Sequence, residues 1–77
     1  MESFERVAKD ALISRRDALH RLGSPLTEEQ RAEVQAIEAA LSRIAKGSYG
    51  HCEQCGRAIG RQRLRAIPEA KHCTSCE

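Results

Sequence analysis

Tryptophan is absent from this chain of 77 residues, and Phe4 and Tyr49 are its only aromatic side chains. It has one methionine and two prolines. Without large aromatic side chains a compact core has little to fill it, and a chain this short buries only about 60% of the surface that its unfolded form exposes. Hydrophobic burial alone would leave the fold marginal, and a deep catalytic pocket has no room. Long apolar runs are missing too. The N-terminus, Met1-Glu2-Ser3-Phe4-Glu5-Arg6, is amphipathic and charged, so neither a secretory signal nor a membrane span is expected. A strong charge imbalance is also lacking: 13 basic against 11 acidic residues give a formal +2, too mild to argue for nucleic acid by itself.

What the chain does have is four cysteines, all from residue 52 onward. The missing secretory signal implies a reducing cytoplasm, where paired cysteines read as metal ligands more readily than as disulfides. Cys52-Glu53-Gln54-Cys55, then 17 intervening residues, then Cys73-Thr74-Ser75-Cys76 fits the C-x₂-C-x₁₅₋₂₀-C-x₂-C spacing of a four-thiolate zinc site. Two residues between ligands let both sulfurs of a pair converge on one ion from a single tight turn, at about 2.3 Å. Gly56 suits that turn because glycine takes positive φ without a Cβ clash. Two disulfides, a redox-active C-x-x-C or an iron–sulfur cluster are the alternatives. Against the first two stand the absent secretory context and the absence of a βαβ pattern. His51 and His72 each precede a cysteine and could replace one thiolate, although four cysteines are already in phase. Four thiolates leave no open coordination position, so the expected Zn²⁺ is single and structural.

The rest of the chain reads as helix. Residues from about 2 to 22 contain no glycine or proline and place Phe4, Val7, Ala8, Ala11, Leu12, Leu19 and Leu22 near helical spacing. Gly23-Ser24-Pro25 stops that helix, and Thr27-Glu28-Glu29-Gln30 has the form of a capping box that starts another. Val34, Ile37, Leu41 and Ile44 draw one apolar stripe along the second helix, and Arg43 and Lys46 suit its negative end before Gly47. The expected fold is mainly α: an antiparallel, coiled-coil-like two-helix hairpin over residues 1–46, with its turn near 23–26, followed by a small four-cysteine zinc finger over 47–77. Pairing around the loop sets Leu12 near Ile37, Ala8 near Leu41 and Phe4 near Ile44. Beyond Gly47, only Ile59, Leu64 and Ile67 are branched aliphatics, so an external constraint must order that part, in which residues 61 to 66 have room for one or two helical turns.

Charge qualifies the arginines of the finger. From residue 47 on there are five basic and three acidic side chains. Four thiolates and one Zn²⁺ together add two negative charges, which makes the metallated finger neutral. Arg57, Arg61, Arg63 and Arg65 therefore read as partners of a dianionic metal centre in preference to a phosphate-binding patch.

Ile37-Glu38-Ala39-Ala40-Leu41-Ser42-Arg43-Ile44, Gly47-Ser48-Tyr49-Gly50, Cys52-Glu53-Gln54-Cys55-Gly56, Ile59-Gly60, Arg63-Leu64, Pro68 and Cys73-Thr74-Ser75-Cys76 resemble the DksA/TraR C4-type zinc-finger family of bacteria. The resemblance runs through roughly residues 34 to 77. It implies a hairpin that enters the secondary channel of bacterial RNA polymerase and alters initiation kinetics without sequence-specific contact to promoter DNA. The family's best-known regulators carry a D-x-x-D-x-A arrangement at the hairpin tip. Here the tip is Arg21-Leu22-Gly23-Ser24-Pro25-Leu26-Thr27, with no carboxylate. Asp17, Arg21 and Glu28 are the partner-binding candidates beside it.

The function expected is thus a cytoplasmic, monomeric transcription regulator that binds RNA polymerase. A zinc-stabilised nucleic-acid-binding module using the finger arginines is one alternative, and a thiol-based redox sensor is another. An enzyme is not expected, because no nucleophile–base pair, open metal site, phosphate loop or supported carboxylate pair is evident.

Overall fold

The structure, a computed structural model, describes residues 3–23 and 25–76. Helix α1 spans Phe4–Arg21, α2 spans Glu28–Lys46 and the short α3 spans Arg61–Ala66. The only β feature among the described residues is an isolated antiparallel bridge between His51 and Ala58.

Each long helix begins on a side-chain cap. The Ser3 hydroxyl accepts from the Arg6 N–H at 3.1 Å. Thr27 accepts from the Gln30 N–H at 3.1 Å while the Gln30 carboxamide accepts from the Thr27 N–H at 2.9 Å, which completes the capping box. At the far end of α2 the Ser48 N–H reaches the Arg43 carbonyl at 2.9 Å and the Gly47 N–H reaches that of Ile44 at 3.2 Å. This is a Schellman closure. It requires the left-handed φ of 81° that Gly47 adopts and a side chain would resist. The loop starts with Gly23 at φ 89°, and Ser24, part of the expected tip, lies outside the described residues.

Leu12 and Ile37 are fully buried and share one cluster with Ala8 and Ala40, and Val34 is buried as well. Burying two such side chains stabilises the hairpin by about 1.5–3 kcal/mol each. One turn nearer the loop on both helices, Arg15 and Glu33 form an ion pair at 2.7 Å, consistent with the same register. Not every apolar residue of the expected stripe is inside. Ala11 is exposed, Val7 is 50% exposed and Leu22 63% exposed. The cause is geometric: α1 contacts α2 along a single stripe, Val7 and Ala11 lie beside it, and Leu22 falls past the last helical residue. Leu41 is only partly buried.

Residues beyond the hairpin do not build a separate core. Tyr49, Cys52, Ile59, Leu64, Ala70 and Cys73 belong to the same buried cluster as Leu12 and Ile37. Of the three branched aliphatics in this part, Ile59 and Leu64 are buried and Ile67 is 41% exposed, while Tyr49 is buried at 6%.

Candidate metal centre

The first cysteine pair sits on a tight loop closed by backbone bonds. The Cys52 N–H donates to the Arg57 carbonyl at 2.8 Å, the Gly56 N–H to Cys52 at 2.9 Å and the Ile59 N–H to Gly50 at 2.8 Å. Gly56 holds φ 79°, where a Cβ would strain the turn. The second pair has no glycine, and its turn is closed by the Cys76 N–H on the Cys73 carbonyl at 3.1 Å. One further bond, from the Glu53 N–H to the Lys71 carbonyl at 2.9 Å, ties the two loops together.

These turns bring four residues distant in sequence to one point. The sulfurs of Cys52, Cys55, Cys73 and Cys76 all lie within 4.8 Å of one another. Cys55 and Cys73 are 3.6 Å apart, Sγ to Sγ, and all four cysteines are free. A regular tetrahedron with arms of about 2.3 Å has edges of about 3.8 Å, so the cluster has the dimensions of a zinc-thiolate centre. A disulfide would require about 2.05 Å. His51 and His72 are not among the converging groups. His51 is engaged through its backbone in the bridge to Ala58, and the His72 carbonyl accepts from Arg63 Nε at 3.2 Å.

Without a cation the thiols perturb one another. The backbone N–H of Cys73, above all, lowers the Cys52 thiol to about 6, against the opposing effect of burial. Burial pushes Cys73 up, but hydrogen bonds from the Cys55 and Cys76 thiols and from the Ser75 and Cys76 N–H groups outweigh it, and the result is a lowered thiol. Cys76 goes the other way, to about 12, because its proton is held mainly against Cys73 and then Cys55, with burial adding to the effect. Backbone donors thus already favour thiolates, and a divalent cation would replace the protons that remain. The centre suits one structural zinc, with no position left for substrate.

Around the metal loops lie polar contacts that the sequence reading did not anticipate. Arg43 stands in the last turn of α2, where its charge suits the helix dipole. It is also buried at 8% exposure, with Nη1 at 3.4 Å from Glu53 and Nη2 at 3.5 and 3.4 Å from the carbonyls of Glu69 and Ala70. Its Nε is buried without a partner. Arg15 of α1 donates to Glu33 of α2 at 2.7 Å and to Glu69 of the finger at 2.9 Å. Both carboxylates, bonding first and charge second, raise its pKa. The Tyr49 hydroxyl donates to the Pro68 carbonyl at 2.9 Å. The available signal was positional: Arg15 lies one turn from Leu12 and Glu33 one turn from Ile37. The finger arginines stand in different surroundings. Arg61 stands 5.4 Å over the Phe4 ring, Arg63 bonds His72, and Arg57 and Arg65 are exposed.

At the other end of the hairpin Asp17, Arg21 and Glu28 are all exposed. The Asp17 carboxylate, 53% exposed, lies 3.6 Å from the neighbouring Arg16. Among the described residues no helix is long and apolar enough to cross a membrane.

Residues 47–77 match the family described as the prokaryotic dksA/traR C4-type zinc finger. An uncharacterised protein of Aquifex aeolicus is 43% identical over 51 residues, covering 66% of this chain and 35% of that protein. The RNA polymerase-binding transcription factor DksA of Caulobacter vibrioides (strain NA1000 / CB15N) is 46% identical over 43 residues, covering 56% of this chain and 30% of that one. The chain therefore spans about a third of the length of the curated relatives it matches. Among solved structures, the RNA polymerase binding protein and transcriptional regulator Dks of Chlamydia trachomatis superposes with a TM-score of 0.84 at 29% identity, over 94% of this chain and 80% of that one. Cysteine geometry, finger sequence and overall architecture agree: residues 47–77 are similar to the dksA/traR C4-type zinc finger, and the whole chain has a fold like that of the Chlamydia protein.

Proposed function

We propose that this chain is a transcription regulator that binds bacterial RNA polymerase through the secondary channel. Residues 1–46 act as the inserted hairpin and residues 47–77 as the zinc-stabilised base, with Cys52, Cys55, Cys73 and Cys76 as the ligands of one structural zinc. The observation that carries this reading is the polarity of the hairpin. One end is clasped by the finger, while the other presents exposed Arg21, Leu22, Gly23, Thr27 and Glu28. Relatives of this architecture are named as RNA polymerase-binding proteins. The protein acts as a cytoplasmic monomer, catalyses no reaction of its own and makes no sequence-specific contact with DNA. Only two aromatic residues are present, too few for a platform that stacks single-stranded bases.

The tip distinguishes occupancy from output. A carboxylate near the polymerase's catalytic metal acts electrostatically, whereas a tip without one fills the channel and excludes competitors. Asp17 and Glu28 stand one turn or less behind the loop and are the acids that matter. In vitro transcription from a promoter that full-length relatives inhibit tests this. Wild type is expected to bind with a reduced effect on initiation, and Asp17→Asn and Glu28→Gln are expected to reduce it further. Strong inhibition that neither substitution changes would remove both acids from the mechanism and leave Arg21 and the loop backbone.

A further inference from the structure

Between α3 and the second cysteine pair runs a segment, Pro68 to His72, that is neither helix nor strand. Irregular backbone near a protein core normally leaves some carbonyls to water, yet here all five successive carbonyls are taken by donors from elsewhere in the chain. Tyr49 bonds Pro68 at 2.9 Å, and Arg43 reaches Glu69 and Ala70 at 3.5 and 3.4 Å. The Glu53 N–H bonds Lys71 at 2.9 Å and Arg63 bonds His72 at 3.2 Å. The one carboxylate of the segment, Glu69, is 19% exposed and held by Arg15 of the opposite helix at 2.9 Å. Immediately after His72 comes Cys73.

We propose that this strap couples the metal centre to the direction of the hairpin, with Arg43 and Arg15 as its positioning residues. Arg43 projects from the last turns of α2, Arg15 from the middle of α1, and both end on the same strap. The strap in turn fixes where the Cys73–Cys76 pair meets the Cys52–Cys55 pair. Arg43 also touches Glu53, inside the first pair, so one guanidinium bridges α2 to both halves of the finger. Apart from these bonds, little but Ala70 anchors the strap by burial. Coupling of this kind is reciprocal: zinc favours the docked hairpin by the same factor by which the docked hairpin tightens zinc, so loosening the guanidinium contacts weakens zinc binding. The inference concerns this chain alone and does not depend on the polymerase reading.

The test uses the zinc-loaded full chain and two measurements, zinc affinity by competition with a chromophoric chelator and residual dipolar couplings of the hairpin and finger amides. Arg43→Met, which keeps length and loses the donors, is expected to weaken zinc about tenfold, as loss of an outer-shell contact does. Hairpin and finger should then align as two independent bodies. Arg43→Lys, which keeps the charge on a single donor nitrogen, should restore a single alignment in part. Glu69→Gln removes the charge pair with Arg15 and should give a smaller shift in the same direction; it decides the matter if Arg43→Met fails to fold with zinc. A folded Arg43→Met, or in its place Glu69→Gln, with wild-type zinc affinity and one common alignment would overturn the proposal.

Discussion

The hairpin and the finger reach order by opposite routes. In the hairpin, the capping box at Thr27, the glycine closure at Gly47 and the buried positions of Leu12 and Ile37 are each dictated by residues at short helical spacing, and burial does the rest. In the finger, six-residue α3 is the only helix among the described residues, and the backbone is held by turns, by the strap contacts and by four converging sulfurs. A helix is thus specified by a few neighbouring residues at a time, whereas the finger is specified by groups remote in sequence that a cation must draw together. The two are joined through one buried cluster and three arginines, Arg15 and Arg43 of the hairpin and Arg61 of the finger, so each should feel damage to the other.

Removing zinc should separate the two regions most. Binding energy of a structural zinc is folding energy, on the order of 10 kcal/mol in small fingers, so chelation should unfold residues from about 48 onward while the helices persist with lower stability. Elemental analysis should find one zinc per chain, and amide spectra during chelator titration should lose the finger signals first. A metal-free protein with an unchanged finger spectrum would contradict the account. Acidification should act in the same direction, because protons compete with zinc for the thiolates.

Next in size is the hairpin core. Leu12→Ala or Ile37→Ala should cost about 2–5 kcal/mol by thermal or chemical unfolding of the zinc-loaded protein. Leu41, which the apolar stripe places beside them, is only partly buried, so Leu41→Ala should cost less than either. Equal losses at all three would show that the register is not the one described. Smaller again is the capping box: Thr27→Ala should lower stability by about 1 kcal/mol, fraying the start of α2 without touching zinc affinity. Arg57→Ala and Arg65→Ala, at exposed positions, should change stability by no more than about 0.5 kcal/mol.

The uneven legibility of the sequence follows from the same contrast. The two long helices were readable because Thr27, Gln30 and Gly47 act on their immediate neighbours, and the metal site because the cysteine spacing is itself the geometric requirement. Buried polar contacts were not readable. Nothing around Arg43 distinguishes an arginine that favours a helix end from one whose guanidinium reaches carbonyls 26 and 27 residues away. Arg15 looks like any charge on a solvated face until the hairpin register brings Glu33 opposite and the finger brings Glu69. Apolar residues were over-counted for a related reason. A stripe predicts which face turns inward but not how far a neighbour extends along it, and Val7, Leu22 and Ile67 stay in water for want of one.

Photocrosslinking from both ends of the molecule tests the central claim most directly. A benzophenone side chain placed at exposed Leu22, at the hairpin tip, is compared with one at exposed Arg57, in the finger, each bound to bacterial core RNA polymerase. The account predicts that position 22 labels the interior of the secondary channel, that position 57 labels only the outer surface around its mouth, and that a competitor occupying the channel abolishes both. Labelling outside the channel from position 22, or labelling that survives the competitor, would contradict it.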